Sequence, residues 1–322
     1  MRCERCFRRC SLSNGQTGIC QAVSYDGKVL LLGSPSVSTV SIGPIEEKEI
    51  FHYRPGSKVL SVGFYNCNLR CTFCINHEVS QRSSSKPFAY SAALVSLALK
   101  EKAEGLAFSF SEPLVYAEFV AATFRLAHDK GLYTALKTSA MMSKDLFAHA
   151  LKETDVCCVD VKGDAQTYLS SCGASEKDMQ LLYDNLEMAR EATNLEVSLI
   201  VRSDERRFHS VLTDITGVIG PLTPVHLVSF LPAYKETASP AATLEGMQMG
   251  HGLASIYFEY VYDENPLSTT VCRECYSPLV KRKAGLIEYN GLKGNACVCG
   301  QPLWKKTCAT TTNAKNVGPS SK

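Results

Sequence analysis

From Lys58 onward the chain alternates between two hydrophobic periods. Short β-prone runs (KVLSVGFYN, GLAFSFS, YTALKTS, DVCCVDVKG, LEVSLIVRS, VHLVSFLPAY and IYFEYVYD) are separated by longer stretches with apolar residues at helical spacing. In SAALVSLALKEKAE, Leu94, Leu97 and Ala98 share a face and Ser91 is a candidate N-cap. Pro113 suits the first turn of PLVYAEFVAATFRLAHDKG and Gly131 its C-terminal cap. Ser143 starts SKDLFAHALKE, and SEKDMQLLYDNLEMAREAT predicts a long amphipathic helix. RRFHSVLTDITGVIG and ATLEGMQMGHGLAS complete the helices. Roughly six βα units imply a parallel sheet with right-handed crossovers. That is fewer than the eight of a complete barrel, so a partial barrel and an open sheet both fit.

The flanks break this rhythm. Residues 1–50 are Cys-rich and then turn-rich, and GSPSVSTVSIGPIEEKE reads as a linker or irregular extension. Residues 51–265 form the expected core domain. Residues 266–308, with Pro, Gly and paired Cys, read as a small appended module. Residues 309–322 lack large apolar groups and are expected to be disordered.

Composition narrows the function classes. Hydrophobic residues make up 45% and charged residues 20% of 322, ordinary values for a soluble domain, and a net charge of +2 gives no reason to expect nucleic acid. No apolar run approaches a membrane span and MRCERCFRRC is no signal peptide, so a cytoplasmic location and no membrane are expected. The outlier is cysteine, with 15 residues. In a reducing compartment, closely spaced Cys point to metal ligands or catalysis rather than disulfides.

Cys67, Cys71 and Cys74 form C-x3-C-x2-C at the end of the first predicted strand of the core. Three thiolates on one loop can hold three irons of a 4Fe–4S cube and leave the fourth open. That is the arrangement of radical S-adenosylmethionine (SAM) chemistry, in which SAM chelates the open iron, is reductively cleaved, and yields a 5′-deoxyadenosyl radical that abstracts hydrogen. A zinc site, a complete four-Cys cluster or three unrelated Cys are the alternatives. In barrel-like folds active sites collect at the C-terminal strand ends. There stand Ser109 to Pro113, Lys137 to Ser139, Asp160 to Gly163, and Arg202 to Asp204. Glu112 is placed to receive the SAM ammonium, and Asp160 and Lys162, on one strand face, to serve ribose and carboxylate. Ser139 and Arg202 are further candidate cofactor contacts. Phe64, Tyr65 and Phe73 read as packing around the cluster, His77 as a marginal candidate and His226 as structural.

With these motifs the chain resembles the radical SAM enzyme of the AmmeMemoRadiSam system, itself similar to pyruvate formate-lyase activating enzymes. The likeness runs from Cys3 to about Gly300. It rests on C-x2-C-x3-C with Gly15, Gly18 and Cys20, on GPIEEKEIFHYRPGSKVLSVG, CNLRCTFCIN, SEP, DVKG and HLVSFLPAYK. The resemblance implies a partial (β/α)6 TIM-type barrel as radical SAM core, one catalytic 4Fe–4S cluster and SAM. It also implies a glycyl-radical-activase-like oxidoreductase acting on a protein, peptide or small molecule. An electron donor such as ferredoxin or flavodoxin and Memo-like and Ammecr-like partners go with it. The sequence departs at Ser111, where Gly is usual, at KTSAM, which lacks Asn-Gly, and at Asn66, where Gly is common.

Two outer groups remain. Cys272 and Cys275 with Cys297 and Cys299 read as a zinc-ribbon-like site whose second pair is one residue short of the usual knuckle, with an auxiliary iron–sulfur cluster or no metal as the alternatives. Cys3, Cys6, Cys10 and Cys20 are a candidate structural metal site, with zinc expected ahead of iron. Cys157 and Cys158 point to opposite faces of one strand, Cys172 reads as structural and Cys308 as incidental. The competing function class is a non-catalytic iron–sulfur/zinc interaction or electron-transfer protein on a degenerate radical SAM scaffold.

Overall fold

The computed structural model describes residues 1–82, 88–202, 204–263 and 267–305. Ser203, Cys308 and the whole of 309–322 lie outside the described residues. The N-terminal module holds a hairpin of β1 (Val23–Tyr25) and β2 (Leu30–Leu32). Its turn is closed by Asp26 Oδ1, which accepts from the amides of Lys28 and Val29 at 2.9 and 2.8 Å.

The main sheet starts with β3 (Val37–Pro44), antiparallel to β4 (Lys58–Phe64). The chain then runs through α1 (His77–Ser80), α2 (Ser91–Lys100), β5 (Gly105–Ser109), α3 (Ala117–Asp129), β6 (Tyr133–Thr138), α4 (Lys144–Leu151) and β7 (Val156–Val161). It continues with α5 (Ala165–Thr167), α6 (Glu176–Ala192), β8 (Asn194–Val201), α7 (Glu205–Ile219), β9 (Val225–Ser229), α8 (Leu244–Tyr257) and β10 (Val261–Tyr262). Strands β4 to β10 are parallel neighbours in strict chain order, joined by six helical crossovers. Right-handed crossovers that all step the same way put the helices on one face, the winding of a barrel wall rather than of a doubly wound sheet. A three-stranded antiparallel sheet, β11 (Leu267–Val271), β12 (Pro278–Lys283) and β13 (Leu286–Asn290), forms the appended module.

Strand alternation separates two apolar layers. In β7, Cys157, Val159 and Val161 join the large cluster under the helices, while Val156 and Cys158 point inward. The inner face at the strand starts is filled by residues 45–57. Ile45, Ile50 and Tyr53 pack on Val59, Ala107, Tyr133 and Ala135. Buried Glu196 ties this strap down, accepting from the amides of Phe51 and His52 at 2.8 and 2.9 Å and from His226 Nε2 at 2.7 Å. Burial opposes its ionisation, yet these donors hold its carboxyl below the ordinary glutamate range. His226 is thus structural, and the opposite end of the sheet is left for chemistry.

Three local expectations change. The segment read as a linker contributes β3, because its Val, Thr and Ile pair along β4 from Val37–Phe64 to Pro44–Lys58. As a half-buried edge strand rich in Ser, it carries little hydrophobic signal. IYFEYVYD is not a full strand: α8 continues to Tyr257, burying Met247, Gly250 and Ala254, and only Val261–Tyr262 pair with β9. Tyr90, not Ser91, is the α2 N-cap; Ser91 Oγ instead sits 2.6 Å from Thr123 Oγ1.

Candidate active site

The triplet sits on the loop leaving β4. The chain turns at Asn66, whose φ is +84°, a region Asn tolerates better than most residues. Its Nδ2 donates to Tyr116 OH at 2.8 Å. Buried Asn68 donates to the Met141 carbonyl at 3.0 Å. Arg70 Nη1 donates to the Cys67 carbonyl at 3.0 Å, and the amides of Arg70 and Thr72 donate to the carbonyls of Cys172 and Ser171 at 3.1 and 2.8 Å. Arg8 from the N-terminal module donates to the Asn68 carbonyl at 2.9 Å. The loop is therefore held from three sides, which is what a multi-ligand site requires of its backbone.

Cys67, Cys71 and Cys74 line one cavity of about 390 Å³ at the C-terminal strand ends. Burial raises the thiols of Cys67 and Cys74 above the ordinary range; Cys71 is raised first by its hydrogen bond with Cys172 and then by burial. Such thiols ionise when a cationic centre compensates them. All fourteen described cysteines are free thiols. Three free thiols on one wall, with no fourth Cys lining the cavity, fit a cube with one open iron.

Glu112, Ser139, Asp160 and Lys162 share that wall. Glu112 is buried, and its carboxylate accepts from Ser139 Oγ at 2.5 Å, Ser139 N at 2.8 Å, Thr138 Oγ1 at 2.7 Å and Leu114 N at 3.1 Å. Four donors occupy its acceptor sites, so it pins the end of β5 to the end of β6. Burial raises its pKa, only partly offset by these donors. Asp160 lies 2.8 Å from Lys137 Nζ and 3.4 Å from Lys162 Nζ. Burial works against its charge, but the two ammonium groups hold it down to about 2, and Asp160 in turn raises Lys162 against its own burial.

Arg202 does not join the wall. Its Nη1 donates to Glu236 Oε1 at 2.7 Å, and its guanidinium lies over Phe230 and Phe73 at 3.8 and 4.8 Å. Glu236 also accepts from Thr72 Oγ1 at 2.7 Å, so Arg202 ties the end of β8 to the Cys loop. Phe73 belongs to this packing, and His77 stacks on Tyr234 at 4.6 Å. Phe110, before Ser111, takes φ +71°, a conformation glycine would adopt without strain. Ser111 Oγ donates to the Phe64 carbonyl at 2.8 Å and secures the turn.

Strand-end reasoning named Lys137 but passed over Lys48 and Glu49, which the fold delivers to the same cavity. Lys137 Nζ bridges Asp160 and Glu49 Oε2, the latter at 2.5 Å, and Lys48 and Glu49 reach the cavity from the strap of residues 45–57. Their signal was the charged stretch EEKE, which is far in sequence from every strand end.

At the other pole, Cys272, Cys275, Cys297 and Cys299 form a cluster that could bind a metal, all four sulfurs lying within 4.8 Å of one another. Cys272–Cys299 and Cys275–Cys297 are 3.6 and 3.5 Å apart, near the roughly 3.8 Å edge of a tetrahedron with Zn–S of about 2.3 Å. The short C-x-C pair therefore does not keep the four thiols apart. Among the described residues, no helix is long and apolar enough to cross a membrane.

Residues 61–201, from within β4 to the end of β8, match the Radical SAM superfamily. Members of that superfamily use a 4Fe–4S cluster and SAM. The chain is 28% identical to an uncharacterized protein of Methanocaldococcus jannaschii, over 94% of this chain and 95% of that protein. It is 27% identical to the pyruvate formate-lyase-activating enzyme of Clostridium pasteurianum, over 34% of this chain and 47% of that enzyme. The crystal structure of Streptococcus suis SuiB bound to precursor peptide SuiA shares the fold, with a TM-score of 0.50 at 10% identity, covering 62% of this chain and 47% of that one. Together the domain match and the activating-enzyme similarity support a radical SAM enzyme.

Proposed function

We propose that this protein is a radical SAM enzyme of the AmmeMemoRadiSam type, with Cys67, Cys71 and Cys74 as ligands of its 4Fe–4S cluster. The observation that carries the reading is the meeting of these three thiols with Asp160 and Lys162 in one cavity at the ends of parallel strands. When bound, the cluster and SAM supply reductive cleavage to a 5′-deoxyadenosyl radical for hydrogen abstraction. The chain's own residues do the rest. Lys162 would hold the SAM carboxylate, and Asp160 the ribose. Glu112 and Ser139 shape the pocket floor beneath the ammonium. Phe73 and Phe230 shield the site from water.

The substrate class is a protein, a peptide or a small metabolite. A glycyl-radical-activase role, a ferredoxin- or flavodoxin-type donor, Memo-like and Ammecr-like partners and a cytoplasmic site of action belong to the same reading. Cys272, Cys275, Cys297 and Cys299 are assigned to structural zinc on their sulfur spacing. About one zinc per chain that disappears in Cys275→Ser is expected, and zinc unchanged in that variant would overturn the assignment.

The central test is anaerobic reconstitution with iron and sulfide, reduction, and addition of SAM. Production of 5′-deoxyadenosine and methionine is expected. An intact cluster that releases neither would sink the enzyme and leave the electron-transfer alternative.

A further inference from the structure

The two outer cysteine groups are built differently. At Cys272, Cys275, Cys297 and Cys299 the sulfurs are already in contact, as four ligands of one zinc ion must be. Cys3, Cys6, Cys10 and Cys20 instead surround a narrow cavity of about 10 Å³, room for one water-sized sphere. Sulfurs drawn onto a single ion would close such a hole. A four-iron cube spreads its thiolates, because each binds a different iron.

The chain bends deliberately around this cavity. Cys3 N donates to the Cys10 carbonyl at 2.9 Å, and Arg9, at φ +43°, turns back to the Cys6 carbonyl at 3.2 Å. Gly18 separates Cys10 from Cys20: a Cβ there would touch their sulfurs at 3.8 and 3.9 Å. Val23, Val115 and Met142 give it one apolar side. Arg5 and Arg8 line it as well. Arg5 pairs with Glu118 through both terminal nitrogens at 2.6 Å, which leaves its buried Nε without a partner. A buried N–H is costly unless something accepts from it, and the sulfurs of an iron–sulfur cluster accept such bonds.

From these features we propose that Cys3, Cys6, Cys10 and Cys20 hold a second 4Fe–4S cluster. It goes beyond the SAM reading and does not depend on it. The site abuts the catalytic loop: Arg8, on the cavity wall, donates to the Asn68 carbonyl, and Arg70 donates to the Ile19 carbonyl next to Cys20. Four protein ligands complete the second cluster, so SAM has no open iron there, and what it adds is one-electron storage beside the loop that carries the triplet.

The test counts metal rather than activity. After anaerobic reconstitution, the full chain is expected to hold about eight irons and about eight sulfides. The Cys67→Ala/Cys71→Ala/Cys74→Ala variant should keep about four of each, with a broad visible absorbance that is lost when Cys10→Ser and Cys20→Ser are added. The Cys10→Ser/Cys20→Ser variant alone should also keep about four irons. Only about four irons in the full chain, or zinc that disappears specifically in Cys10→Ser/Cys20→Ser, would overturn the proposal. Should the triple variant fail to fold, the count in the full chain still decides. Loss of SAM cleavage with the iron count intact would bear on the proposed function alone.

Discussion

Glu196 and Ser198 lie two residues apart on the same face of β8, yet they belong to different worlds. Glu196 faces the strap that plugs the strand starts; Ser198 faces the cavity at the strand ends. In the plug, carboxylate, imidazole and strap amides satisfy one another, and aromatic rings fill the space between them. At the other end, Lys137, Asp160 and Lys162 also pair, but beside free thiols and open volume. Burial of charge is therefore no signature of function by itself. What distinguishes the functional end is charge that borders space a ligand can fill.

This contrast can be broken in several ways, starting with the largest expected effect. Cys71→Ala should abolish the cluster at the triplet, lowering the iron count by about four, and with it 5′-deoxyadenosine formation; product analysis reads the second effect, and cleavage at the unmodified rate would exclude Cys71 as a ligand. Glu196→Ala strands His226 and three strap amides in the interior, so a loss of about 3–5 kcal/mol in urea unfolding is expected. A loss below about 1 kcal/mol would show that the plug does not depend on its carboxylate.

The plug also sets an acid limit. Burial lowers His52 to about 4 from an ordinary value of 6.5. The unfolded chain then binds the extra proton, so stability rises with pH. About 3 kcal/mol from His52 is present above pH 6.5 and lost as pH falls toward 4. Depressed Glu196 extends the loss below the ordinary glutamate value of 4.5. Urea midpoints that stay flat from pH 7 to 4.5 would contradict this arrangement.

At the cavity end, Asp160→Asn should weaken SAM binding about 10–100-fold, from the loss of about 1.5–3 kcal/mol of charged hydrogen bonding. Its stability should change less than that of Glu196→Ala. Equilibrium dialysis against SAM measures the first and urea unfolding the second. The smallest effect is expected at Arg202, which stands outside the wall: Arg202→Lys should change SAM affinity less than about threefold. A tenfold loss there would return Arg202 to the contact set.

Much of the fold was legible because core strands and helices advertise themselves by period. Leu94, Leu97 and Ala98 recur at helical spacing, Leu94 and Ala98 are buried, and six βα units follow from such runs. β3 was not legible, since a half-buried edge strand of Ser, Thr and Val looks like a loop. The candidate site was legible where ligands stand close together in the chain, as in Cys67-x3-Cys71-x2-Cys74, or two apart on a strand, as in Asp160 and Lys162. The pairing of Glu49 with Lys137 was not, because it depends on how a strap 88 residues away in sequence enters the barrel.

The sequence by itself determined the chemistry on offer: three thiols on one loop, polar strand ends, and two outer cysteine groups, each written into short-range spacing. Only the tertiary structure decided what those groups face. It put Glu112 onto Ser139 and turned Arg202 away toward Glu236. It drew one cysteine quartet into contact and opened the other around a cavity. Spacing along a chain limits which side chains can meet, but distance and burial across the fold set which of them do, and with what room between them.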